Sequence, residues 1–208
     1  MPAQPDAPTG AAPPPPSRLP DAIPIHPVEA GEVLYRIHRS IHDPIFFGPG
    51  EGKPPTYRFD SARGLFGVLY VGLSLEGAFV ETVLRNPQRR IVNWQEIATR
   101  SSSQLTASRT LRMAKMFGDG LAKLGTDNAI SAGPYEPCWL WADALWDHHD
   151  RVDGIAYRSR FDNNQICLAI FEREQTIFSK SPQQELASMR EIAGLLDRYG
   201  KSVVGMDR

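Results

Sequence analysis

The sequence predicts an α+β protein built on a mixed, mostly antiparallel sheet. Three observations carry that expectation. Segments with strand-like alternation or continuous apolar character recur at 32–38, 66–73, 89–97, 154–159 and 165–172. The helical segments are few and do not fall one between each pair of strands, so the regular βαβ rhythm of a parallel sheet is missing. Of 208 residues, 41% are apolar and 23% charged, which is enough to build the core of one ordinary domain.

The elements follow in order. Residues 1–23, beginning MPAQPDAPTGAAPPPP, are rich in proline and alanine and poor in bulky apolar side chains. Burial there cannot offset the entropy of ordering, so a disordered or extended tail is expected, with a single domain over 24–208. In EVLYRIH (32–38), Val33, Tyr35 and Ile37 alternate with Leu34, Arg36 and His38, as in a strand. Residues 42–64 carry too much glycine and proline for a helix, and a connection this long is often functional. FGVLYVGL (66–73) reads as a buried strand. Ser74 then caps a helix over about 75–85, whose apolar stripe is Phe79, Val80, Val83 and Leu84.

RRIVNWQEI (89–97) is expected to be a third strand. Residues 109–124 have helical character, interrupted by Gly118 and Gly120. PCWLWADALWDHH (137–149) reads as a helix with Trp139, Ala142 and Trp146 on one side. GIAYRS (154–159) and QICLAIFE (165–172) are the last two strands. Residues 182–199 form an amphipathic helix with Pro182 in its first turn.

Composition excludes several classes of function. The net charge of −1 supplies no field to hold nucleic acid or an anionic membrane. No apolar run approaches the roughly 20 residues that span a bilayer, and the N-terminus does not read as a secretory signal. Cys138 and Cys167 are too few for a disulfide framework or a zinc site. A cytoplasmic protein is the expectation. GPGEGKPP (48–55) resembles a phosphate loop only superficially: Lys53 is followed by two prolines, not by Ser or Thr opening a helix. His148-His149-Asp150 lacks the partners of a metal motif and reads as a solvated helix end, so no metal is expected.

The chemistry concentrates elsewhere. Arg36 sits in mid-strand, Glu81 beside the apolar stripe of the capped helix, and Ser159 at a strand end inside the polar knot Tyr157-Arg158-Ser159-Arg160. A carboxylate, arginines and a strand-end serine are the parts expected for cleaving a glycosidic bond beside a phosphate. Strand alternation turns Arg158 and Arg160 away from Ser159, which makes them candidates for salt bridges and not for the site.

In order along the chain, LYRIHR with Arg36, YRFD with Arg58, LYVGLSLEGAFVE with Tyr70 and Glu81, and DGIAYRSRFDNNQICLAIF with Ser159 resemble the RES domain, a family named for an Arg, a Glu and a Ser. The resemblance implies an ADP-ribosyltransferase-like fold and NAD as substrate, with no bound cofactor. It implies Glu81 as the catalytic carboxylate, Arg36 on the phosphates with Arg58 assisting, Tyr70 at the nicotinamide, and Ser159 hydrogen-bonded to substrate. Many members are toxins that deplete NAD and are blocked by an antitoxin protein; some relatives transfer ADP-ribose to protein. A homodimer is compatible with this. Two positions depart from the family pattern: Ile37 replaces an aromatic after the Arg, and Thr56-Tyr57 precede Arg58 where glycines are usual. Tyr57 is the ring available in compensation. The rival function is a non-catalytic module that binds a nucleotide or a partner, against which the Arg36, Glu81 and Ser159 set argues. The acceptor of the ribosyl group, whether water, phosphate or protein, is open.

Overall fold

The computed structural model describes residues 10–173 and 178–205. The chain runs β1 (Ile25–Val28), β2 (Leu34–Arg39), β3 (Val68–Gly72), α1 (Leu75–Thr82), β4 (Ile91–Asn93), α2 (Trp94–Ala98), β5 (Arg100–Ala107) and β6 (Leu111–Met116). It continues through α3 (Asp119–Leu124), α4 (Ala129–Ala132), α5 (Glu136–Asp147), β7 (Gly154–Arg158), β8 (Ile166–Phe171), β9 (Phe178–Lys180), β10 (Gln184–Glu185), α6 (Arg190–Arg198) and β11 (Ser202–Val204). The main sheet has the order β1-β6-β7-β8-β3-β2-β5-β10, with β9 also paired to β5. Within it only β6 and β7 run parallel. A small second sheet pairs β11 with β4, also parallel. The expected α+β class with a mostly antiparallel sheet is the one observed.

One register feature positions the site. The β2–β3 ladder holds a single pair, Tyr35 with Gly72. Beyond it β2 stays with β5 over Leu34–Arg39, and β3 stays with β8 over Val68–Gly72. The two strands therefore part within the sheet. Helix α1 starts beside the parting. Ser74 caps it by accepting from the Gly77 N–H at 2.9 Å, and donates to Gln165 Oε1 at 2.6 Å. Gly72 permits this sharp entry, since a Cβ there would lie 2.6 Å from the backbone nitrogen of Ala78.

Several expectations are corrected. Residues 10–23 are not a free tail: Ala12, Leu19 and Ile23 are buried in the core cluster that contains Trp141 and Leu145. Trp141 Nε1 donates to the Pro13 carbonyl at 2.8 Å, and the Ile23 N–H to Asp150 Oδ2 at 2.8 Å. Burying a Leu or Ile side chain contributes roughly 1.5–3 kcal/mol, enough to retain a short arm where counting bulky residues predicted none. Residues 1–9 lie outside the described part. The segment 89–97 is not one strand: Asn93 ends β4 and caps α2 through Gln95 N, and the long strand β5 comes after it. The segment 109–124 divides into β6 and α3 at Gly118, whose φ of +57° breaks either element. In 182–199, β10 and a 3-10 turn (Leu186–Ser188) occupy the first half, so Pro182 does not lie in the first turn of the helix. On α5 the fully buried side chains are Cys138, Trp141, Ala142 and Leu145, at helical spacing; Trp139 and Trp146 flank them.

Candidate active site

The parting of β2 from β3 opens a cavity of about 480 Å3, within the range of small-molecule sites. Five consecutive residues of β2, Tyr35 to Arg39, line it. A strand face alternates and cannot present five in a row, whereas an unpaired strand edge can. From α1 come Ala78, Glu81, Thr82 and, just beyond it, Arg85: one helical face at spacing 3, 4 and 7. Tyr70 and Gly72 of β3, Tyr157 and Cys167 from the β7–β8 pair, and Tyr57, Arg58 and Tyr135 from loops complete most of the wall.

The charge of this wall differs from that of the chain. Arg36, Arg39, Arg58, Arg85, Arg100 and Arg160 line it against the single carboxylate of Glu81. A near-neutral protein has thus placed six arginines around one concavity, which suits a polyanionic ligand. Five tyrosines line it as well, giving flat surfaces for a ring.

Two buried polar atoms there have no hydrogen-bond partner among the described residues: Glu81 Oε1 and Arg58 Nη2. Arg58 is only 7% exposed. Its Nη1 donates to the carbonyls of Gly133 at 2.8 Å and Ile130 at 3.3 Å, and its Cζ lies 4.6 Å from the Tyr135 ring centroid. Arg36 Nη1 donates to the Phe46 carbonyl at 3.0 Å. Burial lowers its pKa to about 10, against the opposing charges of Tyr57 and Asp43, so it remains a cation at neutral pH. Burial, then the charge of Glu81, lifts the Tyr157 hydroxyl and the Cys167 thiol well above their ordinary values.

The expected residues Arg36, Tyr57, Arg58, Tyr70 and Glu81 come together on this wall. Ser159 does not line it. Its hydroxyl is buried in the turn after β7, accepting from the N–H groups of Phe161 at 3.1 Å and Asp162 at 3.4 Å. That turn presents Arg160 and Phe161 to the cavity instead. The expectation that Ser159 reaches substrate while Arg160 points elsewhere is therefore corrected, because the strand ends at Arg158 and alternation stops with it. Arg158 does lie off the wall, its guanidinium donating to the Asn163 carbonyl at 2.5 Å.

Sequence reasoning missed Asp60, fully buried behind the wall. Its Oδ2 accepts from the N–H groups of Thr56 at 2.8 Å and Tyr57 at 2.6 Å, and its Oδ1 accepts from the Tyr70 hydroxyl at 2.9 Å. The Tyr70 oxygen in turn accepts from Phe59 N at 2.9 Å. Burial raises the Asp60 pKa, opposed by these donors. One carboxylate thus ties the Tyr57 backbone and the Tyr70 hydroxyl, and the two ring centroids lie 5.7 Å apart. An Asp two residues after Arg58, at the end of a Gly/Pro-rich run, was the available signal. Arg85 was legible too, four residues after Glu81 on the same helix face.

The family model for the RES domain matches residues 33–190. The chain belongs to the RES domain family. A curated relative in Sinorhizobium fredii (strain NBRC 101917 / NGR234), named "Probable toxin y4kH", is 28% identical over 116 residues, covering 55% of this chain and 88% of the relative. Among solved structures, the M. tuberculosis MbcT–MbcA toxin–antitoxin complex aligns at a TM-score of 0.59 and 16% identity, covering 84% of this chain and 91% of that one. At that identity the likeness is one of fold.

Proposed function

We propose that this RES protein cleaves NAD at the nicotinamide–ribose bond and acts as the toxin of a toxin–antitoxin pair. The observation that carries the catalytic part is the pair of buried, unpartnered atoms, Glu81 Oε1 and Arg58 Nη2, in a cavity of many arginines and one carboxylate. Buried polar atoms are normally satisfied, so an anion for the guanidinium and a hydroxyl or developing cation for the carboxylate are the complementary groups. NAD carries both, a diphosphate and a ribose. The relatives named above support the toxin role and an antitoxin protein as partner.

In the reaction the C1′–N bond breaks heterolytically. Its electron pair moves to the ring nitrogen and neutralises the nicotinamide, while positive charge develops on the ribose. Glu81 accepts a hydrogen bond from a ribose hydroxyl and stabilises that charge. Arg36 and Arg58 hold the diphosphate through planar forks that a lysine does not copy. Tyr57 and Tyr70, tied by Asp60, offer faces for the departing ring. Water adds at C1′ and releases a proton, giving ADP-ribose; phosphate or a protein side chain are the other acceptors. Ser159 acts by shaping the turn that carries Arg160. The test is to incubate the purified protein with NAD in water and in phosphate buffer and to measure free nicotinamide. Release is expected. Its absence, with intact NAD recovered in both buffers, overturns the reading.

A further inference from the structure

The arm at residues 10–23 precedes the family match and lines no part of the cavity, yet it leads to Arg58. Gly133, whose carbonyl accepts from Arg58 at 2.8 Å, packs against the arm so closely that a Cβ on it would lie 2.5 Å from the Gly10 carbonyl. Eight residues on, within α5, Trp141 is fully buried and donates to the Pro13 carbonyl at 2.8 Å. The far end of the arm is pinned twice more. His148 Nε2 lies 3.1 Å from the Pro20 carbonyl, and Asp150 Oδ2 accepts from Ile23 N. The ligand-bearing atoms of His148, His149 and Asp150 lie within 4.8 Å of one another, but His148 and Asp150 are engaged in holding the arm.

We propose that the arm is a positioning element of the dinucleotide site, setting the α4–α5 junction whose carbonyls hold the buried guanidinium of Arg58 at the cavity wall. The proposal rests on the assignment of Arg58 to the phosphates. A buried guanidinium held by two neutral carbonyls keeps its direction only as well as those carbonyls keep theirs, and the residues that carry them sit between α5 and the arm. Ala12, buried at 1% exposure, is the contact that can be removed without altering the body of the protein.

The experiment uses the full chain with Ala12→Asp, because a carboxylate cannot stay buried at that contact unpaired and the arm must lift away. Trypsin cleavage after the exposed Arg18 reports the lifting, and the guanidinium NMR resonances of Arg58 report its setting. The expected result is faster cleavage, shifted Arg58 resonances, and a KM for NAD raised about tenfold with kcat within about twofold, the size of one charge-assisted hydrogen bond. In an Arg58→Lys background the same change adds less than about twofold. Faster cleavage with unchanged Arg58 resonances and unchanged KM overturns the proposal. If Ala12→Asp does not fold, Trp141→Phe removes the donor to Pro13, together with part of the buried ring, and is read by the same resonances. A wild-type protein that releases no nicotinamide overturns the proposed function instead, while the resonances still decide the role of the arm.

Discussion

Two groups of buried charges in this protein use the same residue types and are treated oppositely. Asp153, behind β6 and β7, accepts from both Arg109 Nη atoms at 2.9 and 2.5 Å and from Arg112 N at 2.8 Å. Asp143 on α5 accepts from the Ser61 hydroxyl at 2.6 Å and from Arg63 N and Nε at 3.1 Å. Glu81 and Arg58, in contrast, each keep a buried atom unpartnered, and the hydrogen bonds of Arg58 go to neutral carbonyls and the Cys138 sulfur. Leaving a buried donor or acceptor unmatched costs about 1–3 kcal/mol. A fold that satisfies its other buried carboxylates can satisfy these, so the exceptions mark where stability yields to ligand binding.

The contrast breaks most visibly at Asp153. Asp153→Ala removes the acceptor of two Arg109 N–H groups and of Arg112 N and is expected to cost about 3 kcal/mol, the lower end for a broken buried pair because Arg109 is 35% exposed. Urea unfolding measures it as a lower midpoint at unchanged m-value. A loss under about 1 kcal/mol would place Asp153 with the surface ion pairs and dissolve the distinction.

Glu81→Gln is the opposite case. It removes charge at nearly constant shape, so nicotinamide release is expected to slow by at least ~100-fold. Thermal stability should hold, since the half-buried Glu81 leaves its Oε1 without a hydrogen bond among the described residues. Wild-type turnover in the folded variant would end the catalytic assignment of Glu81.

Next in size is the turn after β7. Arg160 makes no hydrogen bond or ion pair among the described residues and stacks on Phe161. Arg160→Ala should raise the KM for NAD about tenfold and leave the melting temperature unchanged. Ser159→Ala should instead cost about 1 kcal/mol of stability, as loss of a turn or cap hydroxyl does, with a smaller effect on KM. A reversal of these two outcomes would return Ser159 to the substrate.

What the sequence disclosed follows the same division. The strands β2, β3, β7 and β8 and the start of α1 were legible because local pattern and a capping serine suffice to specify them. So was the frame of Arg36, Arg58, Tyr70 and Glu81. The arm was not, because its few apolar residues matter only against α5, a contact more than 100 residues away. β5 was not, because its buried Ser101, Ser102 and Ser103 read as a polar loop until β2 and β10 pair with them. Ser159 was assigned to substrate by the resemblance, and Arg160 was turned away from the site by alternation, which ends where the strand ends at Arg158.

The smallest effect concerns His38, which lines the cavity yet belongs with the satisfied groups. Its Nδ1 lies 3.0 Å from the Arg39 carbonyl, which can only accept, so Nδ1 carries the proton and Nε2 accepts from the Ser103 hydroxyl at 3.0 Å. Burial lowers its pKa below 6.5, with the Arg39 carbonyl opposing and the charge of Arg36 reinforcing. Below pH 6.5 the unfolded chain therefore binds a proton that the folded protein does not. Stability is complete above pH 6.5 and falls as the pH drops through that value, with a slope of at most about 1.4 kcal/mol per pH unit. His26, shifted in the same direction by burial, contributes a second slope. His38→Gln keeps a donor and an acceptor but takes up no proton. It should flatten the decline of melting temperature between pH 6.5 and 5 without abolishing it, and should change nicotinamide release at pH 7.5 by less than about threefold. An equally steep decline in the variant would remove His38 from the acid sensitivity. A large loss of rate at pH 7.5 would move it from the scaffold to the chemistry.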